Sequence, residues 1–518
     1  MGVDQVELEV PVDAVGRRVS CDGERATVRY VGQVPPTTGL WLGLEWDNPD
    51  RGKHAGSHNG VQYFTCRCPT GGSFVRPAKV NFGVDYATAL RRAYLGDEEV
   101  DPSIKFIHSG VVFKERSLEK LSSVLLNRSD VNGPGADRRS SKITPNVQWL
   151  DMCETLLASW EDVAAITQQM DKLKELLLSY NSLRLPSDPL ALSAAFSNLK
   201  VLSLIGTHLT WPQILECAPM WPQLEELCVE NNNITELSRP MDVLQSLRSL
   251  NVSHNLLVQD TVLSLAALPS LETLNLSTSG LSSIRFDDTP PGSKTSMFPQ
   301  LKRLYLDDNH ISEWTVVDEL AKLPRLSELS CLRNRLVSRD GNSATAAQMF
   351  IAKLGQLVSL NRVKICPEAR RGAELDYMKL FGEEWLKAGG RSQLSSGFIR
   401  QHPRYLNLIQ KYAPEEGELK KQDTSSLKNE LLKVTFTFPD DPDQKPMEKK
   451  LPASMTVQKV KGFLQRKLKV PVSDLQLTYV SPSMGDKEIE FNGDLKTLHL
   501  HSIEDGDNIV VRWSGPAP

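Results

Sequence analysis

The sequence predicts a multidomain α+β protein, and three observations carry that prediction. Its 518 residues exceed what one hydrophobic core can organise, at roughly 150 residues per domain. Residues 16–82 hold 10 of the 32 glycines, set among Trp41, Trp46, Tyr63, Phe64, Phe74 and Phe82, which marks a small β-rich module. A leucine pattern, L-x-x-L-x-L-x-x-N-x-L, then recurs through the middle of the chain and marks a stacked repeat. Composition narrows the class further. With 40% hydrophobic and 24% charged residues, and 60 Lys+Arg against 64 Asp+Glu, the chain is neither wholly disordered nor a globally basic nucleic-acid binder.

In the first module, alternating runs such as Ala26-Thr27-Val28-Arg29-Tyr30-Val31 read as strands of a twisted sheet or barrel, with glycine supplying the turns. Residues 129–145 are polar and rich in Gly, Pro and Arg, and read as an exposed loop. The repeat is clearest from Leu173, Leu224, Leu247, Leu301 and Leu326, which place Asn181, Asn232, Asn255, Asn309 and Asn334 at the ninth position. Weaker copies start at Leu121, Val147, Leu199 and Leu271, the last two with Thr207 and Ser279 in the Asn place. Each copy is a strand and a return segment that buries its apolar edge only against its neighbours, so the product is a leucine-rich repeat solenoid. Residues 357–389 close it, with residues 370–385 polar enough to shield the last edge. A charge-rich linker covers residues 414–423. Beyond it Leu432 to Phe438 alternate as a strand, and Val457, Val460, Phe463, Leu464 and Leu468 follow a Thr456 cap at helical spacing. Strands over residues 475–479 and 508–513 complete a β-grasp pattern. The expected boundaries are 1–84 for the β module, 85–117 for a connecting segment, 118–389 for the solenoid with its C-terminal cap, 390–430 for a linker and 431–514 for the terminal module.

Enzyme signatures are missing: no P-loop, nucleophile elbow, HExxH helix or EF-hand spacing occurs, so no catalytic residue and no cofactor is expected. His54, His58, Cys66 and Cys68 could mimic a zinc site, but Cys66-x-Cys68 lacks the two-residue gap of a zinc knuckle, so no metal is expected. Residues 1–7 are acidic where a signal peptide is basic, no apolar run spans a bilayer, and eight cysteines without a CxxC framework fit a reducing compartment. Four Asn-x-Ser/Thr sites, at Asn127, Asn233, Asn251 and Asn275, follow from the repeat composition. The chain therefore reads as cytosolic, with no membrane or nucleic-acid partner.

The most specific motif is Gly52-Lys53-His54-Ala55-Gly56-Ser57-His58-Asn59-Gly60, preceded by Gly39-Leu40-Trp41-Leu42-Gly43 and followed by Tyr63-Phe64. Over residues 16–82 it resembles the CAP-Gly family, whose hallmark is a GKNDG loop over an aromatic groove; here His54 replaces the Asn and Ala55 the Asp. The resemblance implies capture of an acidic C-terminal tail ending in an aromatic residue, such as that of α-tubulin. Glycines would let backbone N–H groups approach a carboxylate, Lys53 would supply charge, and Trp41, Trp46 and Phe64 would receive the aromatic end. The expected tail-binding residues are Trp41, Trp46, Gly52, Lys53, His54, Gly56, Gly60 and Phe64. Nine Lys/Arg against five Asp/Glu over residues 16–82 give a local +4 that favours an acidic partner.

On the solenoid, residues between the leucines point outward, and Glu225, Glu226, Arg248, Asn251, Lys302, Arg303, Tyr305, Asp307 and Arg333 form the expected client face. The terminal module resembles ubiquitin-like domains, without a terminal Gly-Gly and with Thr478 and Arg512 where ubiquitin shows aliphatic residues; that leaves ubiquitin receptors as weak partners. The order CAP-Gly, leucine-rich repeats, ubiquitin-like domain resembles the cofactor E family of tubulin-folding chaperones. That resemblance implies a non-enzymatic cytoplasmic, cytoskeleton-associated chaperone. It would bind α-tubulin, meet β-tubulin through tubulin cofactor D, work with tubulin cofactors B and C, and assemble and dissociate the α/β heterodimer. A microtubule-associated CAP-Gly adaptor is the other reading, although no sustained heptads supply its coiled coil.

Overall fold

Short glycine-punctuated runs pair as antiparallel strands at the start of the chain: Arg18–Cys21, Glu24–Gly32, Trp41–Trp46 and Gly72–Val75 lie side by side in that order. The computed structural model describes residues 10–95, 117–135, 142–336, 343–391, 395–414, 431–441, 443–480, 488–491 and 493–513. The readings of residues 1–7, of most of the charge-rich linker and of the end 514–518 lie outside the described residues. Two units divide the chain, residues 1–282 with 297–310 and residues 283–296 with 311–518.

In the first unit, alternation along the strands buries Val19, Ala26, Val28, Leu42, Leu44 and Trp46 in the β module. Two charges are buried with them and are paired, as burial requires. Arg18 forks onto Asp47, and Glu45 is held by Arg29 and Arg67. Burial pushes the Glu45 carboxyl up, but the Arg67 backbone N–H and the two guanidiniums outweigh it and hold the group below the ordinary value.

The end of this module meets the first turn of the solenoid, and residues 96–116 of the expected connecting segment lie outside the described residues. Val84–Asp85 pairs in parallel with Val131–Gly133, and Asp85 caps the helix Tyr86–Tyr94 by accepting the Thr88 N–H at 3.0 Å. Val131 is fully buried, which corrects the reading of residues 129–145 as an exposed loop throughout. A three-residue strand amid Asn, Gly and Pro is too short for its alternation to register in the sequence; residues 136–141 lie outside the described residues.

Eight parallel strands follow in register, Ser123–Leu125, Trp149–Asp151, Glu175–Leu177, Val201–Ser203, Glu226–Cys228, Ser249–Asn251, Thr273–Asn275 and Arg303–Tyr305, each with its central apolar residue inward. The repeat asparagines tie each turn to the one before it. Asn181 Oδ1 accepts the Thr155 N–H at 2.9 Å while its amide donates to Met152 and Leu178 carbonyls, and Asn232, Asn255 and Asn309 do the same in their repeats. Just before each of these Asn places stands a left-handed residue: Arg128, Glu154, Tyr180, Gly206, Asn231, His254, Thr278 and Asp308 in this unit. Their spacing reproduces that of the repeat starts. Return segments such as Trp160–Thr167 and Trp211–Cys217 bury Trp160 and Trp211 completely, and Trp221, at the end of the turn Ala218–Met220, is buried with them.

In the second unit, Glu328–Ser330 and Ser359–Leu360 continue the parallel pattern and Val363–Lys364 folds back antiparallel. The closing helix Pro367–Lys387 turns a mostly apolar stripe inward. Ala373, Tyr377, Phe381 and Trp385 are buried at a four-residue spacing against Phe398, Tyr405 and Leu408 of the helices Ser396–Gln401 and Tyr405–Tyr412. Glu374, with no exposed surface, receives Arg404, Lys411 and Tyr412.

The terminal module is a mixed five-stranded sheet in the order Met447–Pro452, Leu431–Thr437, Asn508–Trp513, Leu475–Val480, Ile489–Glu490. Helix Val457–Leu468, capped by Thr456, packs Val457, Val460 and Leu464 onto it, which is the β-grasp arrangement of ubiquitin-like domains. On its sheet face Arg512 forks onto Glu488 at 2.7 and 2.8 Å and lies beside Thr478. Among the described residues no helix is long and apolar enough to cross a membrane.

Candidate functional site

The loop of residues 52–60 leaves the β module after Trp46 and is pinned at its base to the last strand. Lys53 and His54 donate their backbone N–H groups to the Gly72 carbonyl, and Gly72 returns its own to the His54 carbonyl at 2.7 Å. Glycine is required here for closure. A Cβ at Gly52 would collide with the Thr70 carbonyl, and Gly56, at φ +97°, lies so close to the Phe64 carbonyl that no side chain fits. Gly60, at the tip of the Ser57–His58 and Val61–Gln62 hairpin, has nothing near it. The glycines at 52 and 56 thus serve backbone packing within the loop.

Beside the loop runs a cleft of about 500 Å³, whose lining includes Trp41, Trp46, Lys53, His54, Phe74 and Arg76. Val34 and Thr37 add to one wall, and Arg51, His58 and Lys79 bring further cationic or titratable groups. Trp41 is the aromatic wall: its indole N–H donates to Thr37 Oγ at 2.8 Å, and the Arg76 guanidinium lies 3.7 Å from its ring. Trp46 is only 4% exposed, with Arg51 over its ring at 5.2 Å. Phe64, expected to receive the aromatic end, is instead buried behind the cleft, 5.4 Å from Phe74, and Phe74 takes its place in the lining. Gly43 explains the burial, since a Cβ there would sit 2.4 Å from the Phe64 ring, so the missing side chain makes the space that Phe64 fills.

The charge of the cleft is positive and partly uncommitted. Arg51 is paired with Asp22 at 3.0 Å and Arg76 is stacked on Trp41, whereas Lys53 and Lys79 have no carboxylate partner among the described residues. His54 accepts the Gly56 N–H on Nδ1 at 3.0 Å, which leaves Nε2 to carry the ring proton. Burial first, then neighbouring His58 and Lys53, holds its pKa below the ordinary imidazole value, which favours the neutral ring. Around Ala55 the loop is braced by Gln62, whose amide donates to the Ala55 carbonyl at 2.9 Å and to the Phe64 carbonyl.

The outward residues of the solenoid fall into separate columns. Glu225, Arg248 and Lys302 stand just before their strands and form an alternating ladder with Lys200 and Glu272: Lys200 to Glu225 is 2.9 Å, Glu225 to Arg248 3.9 Å, Arg248 to Glu272 3.4 Å and Glu272 to Lys302 2.9 Å. Hydrogen bonds from Lys200 and Lys302 hold the Glu225 and Glu272 carboxyls below the ordinary range. Glu226, Arg303 and Tyr305 lie in the strands themselves, Glu226 exposed and Arg303 donating to Thr273 at 2.9 Å. Asn251 bridges to Cys228 and Glu230. Asp307, expected on the surface, is 5% exposed, in the turn after the strand Arg303–Tyr305. Arg333 belongs to the second unit, exposed and left-handed.

A closed cationic loop beside an aromatic cleft, followed in the same chain by a leucine-rich solenoid and a β-grasp module, defines a client-binding protein of the CAP-Gly type. The CAP-Gly domain model matches residues 15–80. Tubulin-specific chaperone E of Danio rerio is 56% identical over 517 residues, spanning 97% of this chain and 99% of the relative, and that of Homo sapiens is 48% identical over 97% and 99%. Among solved structures, the C-terminal ubiquitin-like domain of mouse tubulin-specific chaperone e is 48% identical, covers 18% of this chain and 98% of that one, and has a TM-score of 0.17. The chain belongs to the tubulin-specific chaperone E family.

Proposed function

We infer that this chain is a non-enzymatic tubulin-folding chaperone of the cytoplasm and cytoskeleton. It binds α-tubulin and takes part in assembling and dissociating the α/β heterodimer with tubulin cofactors B, C and D, β-tubulin arriving on cofactor D. The observation that carries the reading is the cleft beside Lys53. An acidic, aromatic-ended tail finds there two uncommitted ammonium groups, a neutral imidazole and an indole wall, while the folded body of the client meets the strand face of the solenoid. Two modest sites acting on one client raise local concentration and give strong capture.

Binding of α-tubulin with and without its C-terminal tail tests this directly. The tailed form binds more tightly, and Lys53→Ala removes about threefold to tenfold of tail-peptide affinity, the range of one exposed charge-assisted contact, without changing the binding of the tailless form. Equal binding of the two forms by the unaltered protein would overturn the two-site reading. Co-sedimentation with microtubules, without loss of polymer, would favour the adaptor.

A further inference from the structure

The cleft and the strands over residues 123–305 belong to one unit, and residues 81–85 are bonded to residues 130–133 where the module meets the first repeat. Asp130, in the first turn of the solenoid, faces back to the CAP-Gly module. Its Oδ2 accepts the Asn81 amide at 2.6 Å and the Ser20 hydroxyl at 3.1 Å, and its other oxygen lies 3.9 Å from the Arg25 guanidinium. Its carbonyl accepts the Val84 N–H at 2.9 Å, and the neighbouring Asn132 amide donates to the Phe82 carbonyl at 2.8 Å. At Gly83, φ +84°, the chain turns where any Cβ would collide with that same Asp130 carbonyl. The partners come from three separate stretches of the module: Ser20 in the first strand, Arg25 in the second, and residues 81–85. A mobile tether offers none of these contacts, and each is directional.

We propose that Asp130 latches the CAP-Gly module onto the first repeat, so that groove and solenoid form one rigid two-point receptor for a client with an acidic tail and a folded body. The proposal rests on the two-site reading above and adds how the sites are coupled. With a flexible connection, the second binding event samples every span the linker allows. A fixed mounting concentrates the second site at one span, which raises avidity for a client whose tail matches it and lowers avidity for one whose tail does not. Asp130 lies outside the lining of the cleft and outside the strand face, so it acts as a positioning residue.

Two variants test the latch: Asp130→Ala, and Asp130→Ala combined with insertion of about ten Gly/Ser residues between Phe82 and Gly83, which removes the side-chain contacts and loosens the backbone connection without altering either site. The probes are a synthetic acidic peptide ending in tyrosine and α-tubulin with and without its tail. For both variants, affinities for the peptide and for tailless α-tubulin stay within about twofold of the unaltered protein, while affinity for tailed α-tubulin falls about tenfold toward the tailless value. A fluorophore pair at the exposed positions Ala78 and Lys172 reads the mounting itself, giving one narrow distance in the unaltered protein and a broad distribution after insertion. Undiminished binding of the tailed form by the insertion variant, or a broad distance in the unaltered protein, overturns the latch. Equal binding of tailed and tailless α-tubulin by the unaltered protein would overturn the two-site reading instead, and the distance measurement would still decide the latch.

Discussion

His54 shows how one side chain keeps a loop in working order. An Asn at this position would offer a carbonyl to the N–H two residues on, whatever the pH. The imidazole offers Nδ1 to Gly56 only while it is neutral. Burial, His58 and Lys53 all disfavour the charged ring in the folded protein, so its folded pKa lies below its ordinary 6.5. For a histidine lowered in this way, the associated stability is fully present above the ordinary value and is lost as pH falls through the folded one. Slowed amide exchange at Gly56 should therefore hold at about pH 7.5 and fade toward about pH 5, while His54→Asn removes the pH dependence and keeps the protection. A Gly56 amide that behaves identically across that range in the unaltered protein would show that Nδ1 does not brace the loop.

At the level of the repeat, the sequence pattern and the structure meet in the asparagine. Asn232 is completely buried; it donates to the Leu204 and Glu230 carbonyls and accepts from the Thr207 hydroxyl and the Leu209 N–H. Alanine there would orphan buried groups of the preceding turn, at a cost of about 2–4 kcal/mol. Glu226, exposed on the strand face six residues earlier, should change stability by less than about 0.5 kcal/mol on replacement by alanine. Urea unfolding of the two variants separates them, and equal midpoints would mean that the asparagine ladder does not hold the repeats together. The leucine and asparagine spacing made these elements legible because every repeat restates the same burial. The site was legible only in part. Gly52, Lys53 and His54 are contiguous, but Phe74, Arg76 and Lys79 reach the cleft through strand pairing with residues 42–45, which no local pattern encodes. Phe64 misled because Tyr63-Phe64 precedes an irregular stretch, where alternation no longer tells which ring faces inward. Asp130 stayed hidden for the same reason: a turn rich in Asn, Gly and Asp looks alike whether it meets solvent or another module.

Across the whole chain, charge is divided between the two binding surfaces in different ways. The net −4 contains a +4 over residues 16–82, so the remainder carries −8. In the CAP-Gly module the acids Glu45, Asp47 and Asp22 are committed to arginines, which leaves the Lys53 and Lys79 ammoniums turned to the cleft. Along the solenoid the Lys200-Glu225-Arg248-Glu272-Lys302 ladder sets opposite charges against one another from repeat to repeat, three cations against two carboxylates. A client docking there meets alternating signs whose fields cancel within a few ångströms, whereas a tail approaching the cleft meets unopposed charge. Salt should discriminate between them. Raising the salt from about 0.05 M to about 0.5 M shortens the screening length from roughly 14 Å to roughly 4 Å and should weaken acidic-peptide binding several-fold, while binding of tailless α-tubulin changes by less than about twofold. Calorimetric titration of each probe at both salt concentrations reads the two slopes independently. If the tailless form lost affinity as steeply as the peptide, the ladder would have to open toward the client, and its carboxylates and cations would be acting in recognition instead of holding one another.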